Sequence, residues 1–179
     1  DCILMSDLNH PKSPFRVLPL ARLGAGGRWR TEAMRSYGAP VVLWFTRGQG
    51  RITVNGVTAG YGPHNCIYLP AGTMHGFEMN TQVAGTIIVF PQGSEEQLGL
   101  PQDTVHLRLR EAERQIELSN LVDDLQREMA KGTERADRVS ARGDLPTVTT
   151  RIGGLVRYGL PQPSIGTNRI THAARRRGR

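Results

Sequence analysis

The chain has 179 residues, of which 38% are hydrophobic and 22% charged, with 21 Gly and 11 Pro. That size suits one domain with a closed core plus appendages and excludes large multidomain machinery, while the composition is that of a turn-rich globular protein. The formal net charge of +7 invites a nucleic-acid reading, so its distribution decides more than its total.

Residues 1–131 hold 13 Lys and Arg against 13 Asp and Glu, whereas residues 132–179 hold 10 against 3. The whole excess therefore lies in the last segment, where Arg142-Gly143-Asp144, Gly159-Leu160-Pro161-Gln162-Pro163 and Arg175-Arg176-Arg177-Gly178-Arg179 read as breakers and arginines without periodicity. A flexible basic tail is the expectation, and its contact with DNA or any polyanion would be weak, sequence-independent and salt-sensitive. Of the basic residues only Lys12 and Lys131 are Lys, the usage of a GC-rich coding sequence, so a truncated or shifted frame would give the same tail. At the other end Met5 reads as the natural start.

No run reaches the roughly 18 apolar residues of a membrane span, and no signal-peptide pattern opens the chain, so a cytoplasmic location is expected. Cys2 and Cys66 stand far apart without a CxxC or Cys/His cluster, which argues against a disulfide framework and against zinc.

From Phe15 to Pro91 short β-prone runs alternate with turn signals, the pattern of an all-β sandwich or barrel. Val41 to Thr46 is the first strong strand, ended by Gly48-Gln49-Gly50. Arg51 to Val54 and Val57 to Ala59 flank Asn55-Gly56, the dipeptide that supplies the two positive φ values of a tight hairpin. Cys66 to Leu69, Met74 to Met79 and Val83 to Phe90 give three more strands. No strand alternates with a long helix, so a parallel α/β fold is not expected.

After Pro101 the period changes. Leu118, Leu121, Val122, Leu125 and Met129 recur at three- and four-residue spacing between charged positions, which predicts an amphipathic helix of about 20 residues. Its stripe would pack on the β-domain, pair with the same helix of a second copy in a homodimer, or do both.

The run Trp44-Phe45-Thr46-Arg47-Gly48-Gln49-Gly50, the Asn55-Gly56 hairpin and Leu69-Pro70-Ala71-Gly72-Thr73-Met74-His75-Gly76-Phe77 together resemble the cupin superfamily over roughly residues 14–92. The core Pro-x-Gly-x-x-His of the second cupin motif is intact at Pro70, Gly72 and His75. The spacing departs from the family's at both ends, with seven residues between Gly62 and Pro70 and four between His75 and Asn80. The resemblance implies a single jelly-roll type β-barrel over residues 14–104, a helical dimerisation or packing segment over 105–131, and the basic tail over 132–179.

The first motif of the family carries two His, a Glu and a Gly. With Gly48 as that Gly, Val41 takes the place of Glu, and the His positions fall on Arg35 and Tyr37 or on Met34 and Ser36. His75 is then left alone of the metal ligands, and one imidazole does not hold a catalytic divalent ion at useful affinity. The resemblance thus implies no metal, no cofactor and no catalytic set. It is similar to the sensing domain of AraC-type transcription regulators, in which an N-terminal cupin binds a small effector and a following helix dimerises. DNA would be met through a domain not in this chain or weakly through the tail. A stand-alone cupin enzyme of isomerase or dioxygenase type, with a degenerate metal site, is the alternative.

Alternation along the strands places Val41, Leu43 and Phe45 inside, with Val42, Trp44 and Thr46 outside, and carries Phe77 inward with His75. Arg30 and Arg35 would offer guanidinium forks to an organic acid, and His75 would donate a hydrogen bond to its carboxylate or hydroxyl. The candidate ligand set is Arg30, Arg35, Leu43, Phe45, His75 and Phe77; the candidate dimerisation set is Leu118, Leu121, Val122, Leu125 and Met129.

Overall fold

The computed structural model describes residues 15–24, 32–135 and 154. In chain order these form β1 (Arg16–Pro19), a 3-10 turn (Leu20–Arg22), β2 (Val41–Arg47), β3 (Gly50–Val54), β4 (Val57–Tyr61), β5 (Asn65–Leu69), β6 (His75–Phe77), β7 (Ala84–Val89), a short helix α1 (Glu95–Leu98), β8 (Val105–Arg108) and a long helix α2 (Ala112–Arg135). The strands pair into two antiparallel sheets, β1-β7-β2-β5-β8 and β4-β3-β6.

The β3–β4 hairpin closes on Asn55 and Gly56 with φ of 48° and 82°, the two left-handed residues that match the twist of the flanking strands. Its register pairs Val54 with Val57. The small sheet is extended past β6 by a single antiparallel bridge between Arg35 and His75.

β2 is buried on both faces, and its period of two sorts its side chains into separate cores. Val41, Leu43 and Phe45 join Ile67, Leu69, Ile87 and Val89 of the large sheet and Ile52, Tyr61 and Phe77 of the small one, so this cluster fills the space between the sheets. Val42 and Trp44 face the other way, into a cluster with Cys66, Tyr68, Leu107 and the stripe of α2. Thr46 is exposed. Such a two-sided central strand needs apolar side chains at successive positions, which is what Val41 to Phe45 supplies.

Residues 105–108, assigned above to the helical segment, instead form the edge strand β8 against β5, with Ile67 opposite His106. The stretch is short and alternates apolar with polar side chains, so it carries no helical period of its own. α2 in turn runs to Arg135, into the segment read as tail. Trp29, Arg30 and the tail beyond 135, Gly154 excepted, lie outside the described residues. No helix among the described residues is long and apolar enough to cross a membrane.

Candidate ligand site around His75

The Pro70 to His75 segment is a turn followed by a strand. Thr73 N–H donates to the Pro70 carbonyl at 3.3 Å, and Gly72 adopts φ of 77°, a conformation in which any Cβ is strained. The same glycine donates its N–H to the Tyr37 carbonyl at 2.8 Å, fastening the turn to the segment before β2. Arg35 and His75 then exchange both backbone hydrogen bonds, 2.9 Å and 2.7 Å. Directly opposed residues of an antiparallel pair project from the same face, so this bridge gathers Arg35, His75 and, two residues on, Tyr37.

His75 is 1% exposed. Its Nδ1 lies 2.8 Å from the Thr73 carbonyl, which can only accept, so Nδ1 carries the proton and donates. In the neutral ring Nε2 is then a bare acceptor, and it is buried without a hydrogen-bond partner among the described residues. Burial lowers the His75 pKa, the Thr73 hydrogen bond opposes that shift, and the nearby Arg35 guanidinium reinforces it. The expected role of His75 as a donor is therefore corrected: its free nitrogen accepts. The sequence shows the imidazole but not the carbonyl that fixes its tautomer.

Tyr37 meets the His75 ring edge-on at 4.6 Å, and Phe77 lies nearly parallel to it at 6.3 Å. Burial raises the Tyr37 phenol to about 12, with Arg35 pulling the other way, so it stays neutral at physiological pH. In one of the two registers that the resemblance left open, Tyr37 takes a His position of the first motif, the signal that could have placed it in the candidate set. Arg35 is half-buried and donates Nε–H to the Ala33 carbonyl at 3.2 Å. The other candidate ligand residues are packed core. Leu43 and Phe45 are fully buried between the sheets, Phe45 stacked on Tyr61 with centroids 4.1 Å apart. Arg30 lies outside the described residues.

Leu118, Leu121, Val122 and Leu125 are buried, and Met129 packs half-buried beside them, all against the outer face of the large sheet. These side chains are thus occupied within the chain, covering Trp44. On the far side of α2, Ile116 is 60% exposed. A cavity of about 380 Å³ there is lined by Glu113, Ile116, Glu117, Asn120, Leu121 and Asp124. A smaller one of about 120 Å³ lies on the small sheet by Glu32, Arg51, Thr53, Gly76, Glu78 and the candidate residue Phe77. Neither is lined by His75.

At the opposite flank His106 Nε2 donates to Asn65 Oδ1 at 2.7 Å, Asn65 Nδ2 donates to the Pro63 carbonyl, and Arg108 donates to the Gly60 carbonyl at 3.2 Å. The last of these joins the β8 edge of the large sheet to the β4 edge of the small one. Burial, aided by Arg108, lowers His106 to about 4. Among the described residues no three His, Cys, Asp or Glu side chains come together as a metal-binding group.

No protein-family model and no curated protein matches the sequence. Among solved structures the chain is similar to a single-residue variant of oxalate decarboxylase from Bacillus subtilis, at 20% identity over 34% of this chain and 18% of that one, with a TM-score of 0.29. It is similar to acireductone dioxygenase from Bacillus anthracis, at 14% identity over 46% and 53% of the two chains, with a TM-score of 0.35. It is also similar to a single-residue variant of apo ToxT from Vibrio cholerae, at 8% identity over 82% and 54%, with a TM-score of 0.43. Oxalate decarboxylase and acireductone dioxygenase are cupin-fold proteins. The chain spans less than two thirds of the length of each of these three. The TM-scores are low, and these likenesses carry no function across to this chain.

Proposed function

We propose that this chain is a small-molecule-sensing, dimerising cupin domain of the kind found in AraC-type transcription regulators, with no chemistry of its own. The observation that carries the reading is His75: a buried imidazole packed on Tyr37, whose proton is committed to Thr73 and whose other nitrogen has no hydrogen-bond partner among the described residues. A buried acceptor left without a partner costs about 1–3 kcal/mol, which a ligand that donates to it would recover. General acid-base catalysis by contrast needs a titratable partner within reach, and Arg35, Tyr37 and Phe77 bring to His75 a guanidinium, a neutral phenol and a phenyl ring.

α2 supplies the second half of the reading. Its apolar stripe covers the sheet, so a second copy would meet the face that bears Ile116. DNA contact would fall to a separate domain, with the arginine tail adding a weak, salt-sensitive contribution.

The test is thermal melting of the full chain against a panel of small organic acids and alcohols, with mass measured by light scattering. A sensor gains RT ln(1 + [L]/Kd) of stability from its ligand and has the mass of a dimer. A monomer that no small molecule stabilises, or a panel member converted to product, overturns the reading.

A further inference from the structure

The outward face of α2 combines an apolar centre with a ring of negative charge. Glu113, Glu117, Asn120 and Asp124 recur at three- and four-residue spacing with Ile116 between the first two, so they share one stripe, and the cavity of about 380 Å³ lies along it. Ile116 is exposed there, while Leu121 reaches the cavity from the buried side of the helix. Glu113 and Glu117, four residues apart, are neighbours on the helix surface, and like charges so placed repel each other. Neither has an ion pair among the described residues, where Arg114 bonds Glu111 and Arg127 bonds Asp124. A second copy pressing this face onto its counterpart would set carboxylate against carboxylate, because an isologous contact brings identical stripes together.

Guanidinium groups would remove that opposition. Their forks match carboxylates, and their aliphatic stems cover an exposed apolar side chain such as Ile116. The chain itself carries them: residues 1–131 are balanced in charge, whereas Arg169, Arg175, Arg176, Arg177 and Arg179 stand in an eleven-residue stretch without an Asp or Glu. Arg135, the last residue of α2, lies 22 positions from Glu113, about 33 Å along a helix. The 40 positions from Arg135 to Arg175 reach about 130 Å when extended, enough to cross to the α2 of a neighbouring copy.

We infer that residues 169–179 of each copy seat their arginines on the stripe around Ile116 on the other copy's α2, so that two exchanged basic segments hold the dimer. This deepens the dimerising half of the reading above and rests on it. A segment laid back on its own helix would cover Ile116 and close the face to a second copy, whereas a segment brought by the partner joins the copies through the same contacts.

Charge reversal in the full chain tests the exchange. Glu113→Arg with Glu117→Arg reverses the groove; Arg175→Glu, Arg176→Glu, Arg177→Glu and Arg179→Glu together reverse the segment. Followed by light scattering at low ionic strength, each variant alone should dimerise at least about tenfold more weakly than the wild type. An equal mixture of the two should recover wild-type association to within about threefold, because in the mixed dimer both grooves meet a segment of opposite charge. Two readouts use the wild-type chain and so do not depend on how the variants fold. Raising the ionic strength should loosen its dimer, and an excess of a synthetic peptide of residues 169–179 should convert it to monomers. Reversals that leave the dimer intact, weakened variants that mixing does not rescue, or a wild-type dimer indifferent to the peptide each overturn the inference while the dimerising reading stands. A wild-type chain that is monomeric at every concentration overturns both.

Discussion

The ring of Tyr37 meets the imidazole of His75 at an interplanar angle of 63°, although the two lie on different segments of the chain. Two backbone links impose the contact. Gly72 N–H holds the Tyr37 carbonyl, and Arg35 pairs with His75 through both of its peptide groups. The turn motif Pro70-Ala71-Gly72-Thr73 thus has two effects at once: it fixes the tautomer of His75 through Thr73, and it seats the aromatic ring that limits the imidazole's rotation.

Backbone proximity makes Gly85 indispensable. A Cβ at Gly85 would lie 2.0 Å from the Trp44 carbonyl, next to the irregularity at which β2 and β7 change register. Gly85→Ala should cost about 3 kcal/mol or more in urea unfolding, since backbone cannot yield as a flexible side chain would. Gly62→Ala, where nothing lies within 4 Å, should stay within about 0.5 kcal/mol.

Tyr68 is fully buried beneath α2 with its hydroxyl unpartnered among the described residues, and burial together with the charge of Glu95 pushes its phenol up. Tyr68→Phe keeps the ring and removes the orphaned polar atom. The variant should therefore unfold at the same or a higher temperature than the wild type. A drop of several degrees would mean that the hydroxyl has a partner in solution.

His106 makes stability depend on pH. Its pKa falls from the ordinary 6.5 to about 4, so the folded state binds the neutral ring and disfavours the charged one. The stabilisation is fully present above 6.5 and is lost as pH falls from there through about 4. His75, shifted in the same direction, adds to the same acid-side loss. Urea midpoints measured between pH 7 and pH 4 should fall with acidity, and His106→Gln should flatten part of that slope.

The two faces of α2 should respond differently to truncation. Leu118 is completely buried against the sheet, so Leu118→Ala should cost about 2–5 kcal/mol. Ile116→Ala, on the exposed face, should leave the stability of the single chain within about 0.5 kcal/mol and lower the dimer fraction in light scattering.

Much of this architecture is legible because its cause is local. Asn55-Gly56 dictates its hairpin through two positive φ values, and Val41 to Phe45 announces a strand, which the structure covers on both sides. The repeat from Leu118 to Leu125 is a helical stripe at sight, and the sheet it covers accounts for the burial of Trp44. What escapes a sequence reading depends on partners remote along the chain. β8 is four residues long and owes its existence to β5, and the His106–Asn65 hydrogen bond spans 41 positions. The site is half visible: the motif points to His75, and one of the two registers of the first motif puts Arg35 and Tyr37 at its His positions, but only the fold puts the three on one face. The direction of the His75 hydrogen bond is hidden because a carbonyl two residues upstream, invisible in composition or spacing, decides it.

The most direct test is the protonation state of His75 itself, read from two-bond proton–nitrogen correlations of the isotopically labelled chain at pH 7. A protonated Nδ1 with a bare Nε2, shifting when a hydroxyl-bearing ligand is added, is the predicted result. A proton on Nε2, or an imidazole charged at that pH, would contradict an acceptor held ready in the core.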